Sequence, residues 1–151
     1  MALLDTNVLV SLFNSGDVTH ENTSQVIALG EYHWAVSQSV VIEAWNFLVG
    51  SLKNRTAAYN MMDCLLTPGN VDLIDDYSGC FGIVHAYSEK FRIDFVDSHL
   101  LDLASRISAL FGYAPSIHIA TYDTGDFLRL FGQPGLAFHV YDMRDMSSTN
   151  S

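Results

Sequence analysis

A chain of 151 residues, 49% of them hydrophobic, is sized for one domain with a sizeable core, and no apolar run in it approaches a membrane span. Seventeen acids against seven bases leave a net charge of −10, with only 16% of residues charged. That balance leaves no basic face for general nucleic-acid binding and disfavours anionic membrane, because such a surface repels phosphate unless cations or a partner intervene.

Ala2-Leu3-Leu4 reads as a short buried strand that runs straight into Asp5, and a helix follows from Thr6 to about Asn14, ended by Ser15-Gly16. THENTSQVIALG, 19–30, has polar start signals and Gly30 as a stop, so it predicts a second helix. YHWAV, 32–36, is β-branched or aromatic and reads as a strand; the helix after it starts near Ser37 or Ser39 and carries Val41, Ala44, Trp45, Leu48 and Val49 at helical spacing. Residues 54–66 form another helix, broken by Thr67-Pro68-Gly69, and NVDLI, 70–74, a short strand. GCFGIVHAYSEKF reads as a helix despite Gly82, and 95–112 as the strongest helix, with Leu100, Leu103, Ala104, Ile107, Leu110 and Phe111 on one face. Ser116 to Ala120 is a strand, TGDFLRLFGQ a short helix, and LAFHVY, 136–141, a last strand. Strands alternating with helices predict an α/β domain over residues 1–142, a central parallel sheet of about five strands with helices on both faces, followed by a flexible tail at 143–151.

In such a sheet, sites form beyond the carboxyl ends of the strands. Asp5 ends the first strand, Asp123 follows the strand SIHIAT by two residues, and Asp97 opens the long helix before that strand. Asp126 comes three residues after Asp123, and Glu43 sits mid-helix among Val40, Val41, Ile42, Ala44, Trp45 and Phe47. The aspartates have an ordinary alternative as helix caps or first-turn acids. Glu43 does not, because an unpaired carboxylate in apolar company is costly and calls for a cation or a water-filled pocket. Carboxylates that converge without a lysine or arginine repel one another, so one keeps its proton unless a hard divalent cation, Mg²⁺ or Mn²⁺, neutralises them.

LLDTNVLV at the start, SQSVVIE, FVDSHLLDLASR and IATYDTGDF together resemble the PIN domain, and especially the VapC-like ribonuclease toxins of toxin–antitoxin pairs, over nearly the whole chain. The resemblance implies that Asp5, Glu43, Asp97 and Asp123 hold Mg²⁺ or Mn²⁺, with Asp126 as a fifth ligand and with Thr6, Asn7 and Thr121 supporting the pocket by hydrogen bonds. It implies an endoribonuclease selective for single-stranded regions of a tRNA, an rRNA or an mRNA, a cognate antitoxin that inserts a segment into the acidic groove, and a homodimer. Asp94 lies one helical turn before Asp97 and competes with it; Asp97 is preferred for its place on the face through Leu101 and Ala104, and Asp102, well off that face, is expected in solvent. Arg92 and Arg129 could hold RNA beside the site, against the plain alternative of surface charges.

Other chemistries fit less well. The six histidines show no HxxxH or HExxH spacing, which argues against zinc; His118 is expected packed in the core, and His20 and His99 in solvent. GxSxG, GxGxxG and Walker A sequences are absent. A haloacid-dehalogenase-like phosphatase wants an acid where Asn7 stands and a lysine near the last acids, where none lies beyond Lys90; a receiver domain fails for the same missing lysine. A non-catalytic PIN-like RNA- or protein-binding module remains the rival. Tyr77, Phe81, Tyr87 and Phe91 are expected on a packed helix face. Cys64 and Cys80 read as small buried thiols of a reducing compartment, and with no basic leader the expected location is the cytoplasm.

Overall fold

A computed structural model of the chain describes residues 1–69, 71–74, 81–112 and 117–145. The predicted α/β alternation is present. Strand β1 (Ala2–Leu4) leads into α1 (Thr6–Phe13) and α2 (His20–Leu29), β2 (Trp34–Ser37) into α3 (Gln38–Asn46) and α4 (Arg55–Leu66), and β3 (Val71–Ile74) into α5 (Phe81–Phe91) and α6 (Phe95–Leu110). Strand β4 (His118–Thr121), helix α7 (Gly125–Leu130) and β5 (His139–Asp142) follow. The five strands form one all-parallel sheet in the order β3-β2-β1-β4-β5. The chain moves outward one way from β1 through β2 to β3, and the other way through β4 to β5. With right-handed crossovers this covers both faces of the sheet with helices.

β1 is central, and all three of its residues are buried. It has no solvent face to make polar, so it reads as a continuous apolar stretch. The caps follow the local rules. Asp5, Ser37, Asn54 and Asp94 each turn a side-chain oxygen onto a backbone amide at the start of their helices. Gly30 ends α2 at φ 66°, the left-handed conformation that a residue without Cβ adopts at least cost.

Several expectations need correction. The third helix does not run on regularly to Gly50: α3 stops at Asn46 and a π-helical turn covers Phe47–Ser51. The last strand begins at His139, with Leu136 to Phe138 leading into it. Asp102 and His99 are buried, not solvated. Helix α6 packs on α5, α3 and β4, and this buries every residue from Ser98 to Ala104. Asp102 is tolerated there because Arg106, one turn on, places Nε 2.7 Å from its Oδ2, and His99 because Nδ1 lies 2.7 Å from Ser39 Oγ. His20 is half-buried, with Nδ1 2.8 Å from the Ser11 carbonyl, and His118 is half-buried against the Tyr32 and His139 rings. Cys64 is exposed, on the outer side of α4, not buried. Of the α5 aromatics, Phe91 is buried, Tyr87 half-buried and Phe81 exposed; Tyr77, Cys80 and Ser116 lie outside the described residues. Met143, the first residue of the expected tail, is fully buried, and its amide donates to the Thr121 carbonyl at 3.0 Å. Among the described residues no helix is long and apolar enough to cross a membrane.

Candidate active site

The sheet order reverses between β1 and β4, and the loops leaving these two strands diverge and open a cleft. Its volume is about 430 Å³, and Asp5, Glu43, Asp97, Asp123 and Asp126 all line it, with Thr6 and Asn7. Each arrives from a different part of the chain. Asp5 follows β1, Glu43 comes from the middle of α3, Asp97 from the first turn of α6, and Asp123 and Asp126 from the β4–α7 connection and the first turn of α7. Asp94 and Asp17 line it too. Asp94 was weighed from the sequence; Asp17 was not, because it sits in the turn between α1 and α2, where an acid looks like ordinary turn chemistry. Of the residues that line the cleft, none is Lys, Arg or His.

Asp5 is the most enclosed of these acids, and it is held rigidly. Its Oδ1 accepts from the Thr6 amide at 2.6 Å, and its Oδ2 from Asn7 Nδ2 at 2.9 Å and Thr121 Oγ1 at 2.7 Å. Asn7 Oδ1 in turn accepts from the Tyr122 amide at 3.1 Å, and Thr121 Oγ1 from the Asp123 amide at 3.0 Å. These hydrogen bonds from Thr6, Asn7 and Thr121 knit the end of β1 to the end of β4. Asp5 is at once a helix cap and a wall of the cleft, so the two readings of this residue are not exclusive.

Glu43 is exposed at the cleft, not enclosed by its apolar neighbours in sequence. Ile42 beside it is also exposed, and the side chains that α3 buries are Val40, Val41 and Ala44. The Glu43 carboxylate faces the open cleft. Glu43 Oε2 accepts a hydrogen bond from Thr6 Oγ1, which ties α3 to α1 across the cleft. Asp94 spends Oδ1 on the Asp97 amide at 2.9 Å, while Asp97 is more enclosed than Asp94. Asp126 pairs with Arg129, Nη2 to Oδ1 at 2.8 Å, and the same nitrogen donates to the Phe91 carbonyl at 3.0 Å. Arg129 is thus committed to two acceptors, whereas Arg92 stands exposed at the α5–α6 turn with φ 57°, an uncommon conformation for a residue with a side chain.

The electrostatics record the crowding. Burial pushes the Asp5 carboxyl up to about 6; hydrogen bonds from Thr121 and Thr6 resist this, and the charges of Glu43 and Asp94 add to it. Asp97 is pushed up to about 8, again first by burial and then by the charges of Asp5, Asp94, Asp126 and Glu43. At neutral pH Asp97 holds a proton that a divalent cation would displace. The donors fit a hard cation: they are oxygens, anionic and short of positive partners. Among the described residues no three His, Cys, Asp or Glu side chains are already gathered as a ligand set.

No curated protein matches the chain significantly in sequence. Among solved structures, the fold is similar to VapC20 of Mycobacterium tuberculosis, described as a sarcin-ricin loop cleaving toxin, at 17% identity and a TM-score of 0.65, covering 85% of this chain and 95% of that one. It is also similar to a toxin–antitoxin complex from Klebsiella pneumoniae, at 18% identity and a TM-score of 0.59 over 95% and 98% of the two chains. VapBC2 from Rickettsia felis, bound to a DNA fragment from its promoter, gives 17% identity and a TM-score of 0.58 over 93% and 98%. At these identities the likeness is one of fold. The sequence itself matches the PIN domain family model over residues 2–130. This chain belongs to the PIN domain family.

Proposed function

We propose that this protein is a metal-dependent endoribonuclease that hydrolyses phosphodiester bonds in single-stranded regions of RNA, and that it is the toxin of a toxin–antitoxin pair. The observation that carries this reading is the convergence of Asp5, Glu43, Asp97 and Asp123, from four separate elements, on one cleft lined by no basic side chain. Family membership and the toxin folds among the structural neighbours support it.

Asp5, Glu43, Asp97 and Asp123 would hold Mg²⁺ or Mn²⁺, with Asp126, whose Oδ1 is paired with Arg129, as a fifth ligand through its other oxygen. Such an ion, when bound, polarises a phosphate oxygen and makes water a stronger nucleophile. The chain's own residues do the rest. Thr6, Asn7 and Thr121 fix the direction of the Asp5 oxygens. Glu43, exposed and held among the described residues by Thr6, has the freedom to follow the substrate. One cleft carboxylate that is ionised at working pH takes the proton of the attacking water. Attack by water leaves 5′-phosphate and 3′-hydroxyl ends. Arg92, exposed on the turn that leads into α6, would hold the RNA strand.

The cognate antitoxin would place an arginine or lysine in the same cleft, supplying the charge that the carboxylates lack. The rival reading, a PIN-like module that binds RNA or protein without cleaving, draws on the absence of a ready-gathered ligand set among the described residues. One experiment separates them. Purified protein with Mn²⁺ cleaves single-stranded RNA, and Asp5→Asn loses the activity; binding without cleavage favours the module, and 2′,3′-cyclic phosphate products overturn the hydrolytic route.

A further inference from the structure

Behind α1, away from the cleft floor, the chain buries a line of hydroxyls that the reaction outlined above does not use. Tyr122 OH lies 2.7 Å from Thr23 Oγ1, Thr23 Oγ1 2.8 Å from Ser11 Oγ, and Ser11 Oγ 2.7 Å from Thr19 Oγ1. Thr19 Oγ1 donates to Asp17 Oδ1 at 2.6 Å, and Asp17 lines the cleft. With the Thr23 proton given to Ser11 Oγ and not to its other acceptor, the Thr19 carbonyl at 3.0 Å, one order of donation runs from the Tyr122 phenol through three hydroxyls to a carboxylate. Asn22 Nδ2 closes the other end, donating to the Tyr122 oxygen at 2.9 Å and to the Met143 carbonyl at 2.9 Å.

Ser11 and Thr23 are completely buried. Aliphatic residues of similar volume would cost less there, since each polar group must be matched to avoid a desolvation penalty. What the arrangement secures is a fixed place for one residue. Tyr122 stands between Thr121 and Asp123, and its backbone amide donates to Asn7 Oδ1. Its side chain is anchored in α2 while its backbone is anchored to the group that orients Asp5.

We propose that Tyr122 is a positioning residue: its phenol, locked by Thr23 and Asn22, holds the β4–α7 loop so that Thr121 and Asp123 stand in register with Asp5. This rests on the nuclease reading for its consequence, but not for its geometry. Removing the phenol oxygen loosens the loop without touching a carboxylate.

The test is Tyr122→Phe, read first by amide hydrogen exchange on the metal-free protein. Exchange at the Tyr122 and Asp123 amides is expected to rise about tenfold while Ile119, in the centre of β4, is unchanged. Mn²⁺ affinity and the turnover number on single-stranded RNA are expected to fall about tenfold, the scale for residues that orient a ligand from behind, with the Michaelis constant unchanged. A second pair guards against a folding defect: Thr23→Val should reproduce the local change, and Thr23→Ser, which keeps the hydroxyl, should restore it. Unchanged exchange at both amides overturns the proposal. So does a uniform rise across the core with a matching loss of thermal stability, which is what a merely structural tyrosine gives. If the wild-type protein neither binds Mn²⁺ nor cuts RNA, the nuclease reading falls, and the exchange measurement still decides whether Tyr122 holds the loop.

Discussion

The two ends of the sheet solve the problem of polarity in opposite ways. Toward the strand starts, rings fill the space: Tyr32 packs against Trp34, His118 and Tyr141 at centroid distances of 5.5, 4.9 and 5.3 Å, and His118 against His139 at 5.3 Å. Asp72 has a partner there, His33 at 2.8 Å. Beyond the strand ends, acids face acids, and two of them keep protons well above their ordinary range. One end is packed for stability; the other holds repulsion that the packing elsewhere must outweigh.

That contrast can be broken from either side. The largest effect is expected at the cleft. Asp5→Asn should lower single-stranded RNA cleavage on the order of a thousandfold, equivalent to about 4 kcal/mol of transition-state stabilisation, in a metal-supplemented assay of the purified, folded variant. At the other end, Trp34→Ala empties a fully enclosed site and should cost about 3–5 kcal/mol of unfolding free energy by denaturant titration, while activity per folded molecule is kept.

A subtler change sharpens the comparison. Asp5 and Asp97 have folded-state values near 6 and 8 against an ordinary 3.8, so the native state holds protons that the unfolded chain has released. Their contribution to stability is fully present below pH 3.8 and is lost as the pH rises through about 6 and then about 8. Metal-free Asp97→Asn should therefore melt higher than wild type, by a margin that grows from pH 5 to pH 8, and saturating Mg²⁺ or Mn²⁺ should close the gap by stabilising the wild type. A margin that shrinks with pH would mean that Asp97 is not held in a repulsive field. The smallest effect is expected for Arg129→Gln. Its half-exposed pair with Asp126 is worth less than about 1 kcal/mol, so melting should barely move, and a measurable gain in Mn²⁺ affinity would show that Arg129 competes for Asp126.

Much of the cleft was legible because its residues sit at boundaries. An acid at the end of an apolar strand, as in LLDTN, must emerge at the sheet edge whatever the rest of the chain does, and Asp123 after SIHIAT obeys the same rule. Glu43 was found for a reason that did not survive, since its apolar neighbours in sequence point elsewhere on the helix. Asp17 and Tyr122 were not found, because a turn acid and a lone tyrosine carry no periodic or motif signal. Asp102 and His99 were misplaced because one-face reasoning assumes that a helix has a solvent side. The Asp102–Arg106 spacing was the clue that an i, i+4 partner could make such burial tolerable.

The sequence by itself determined the alternation of elements, the parallel sheet and the crowding of acids at strand and helix termini, because hydrophobic period, cap chemistry and strand polarity act over a few residues. Which acids are enclosed, which are neutralised by Arg106 or Arg129, and that a buried line of hydroxyls joins Asp17 to Tyr122 were decided only by tertiary structure. Burial and pairing depend on what packs against a residue from more than a hundred positions away, as the Asp5–Thr121 hydrogen bond does, and no local pattern carries that information.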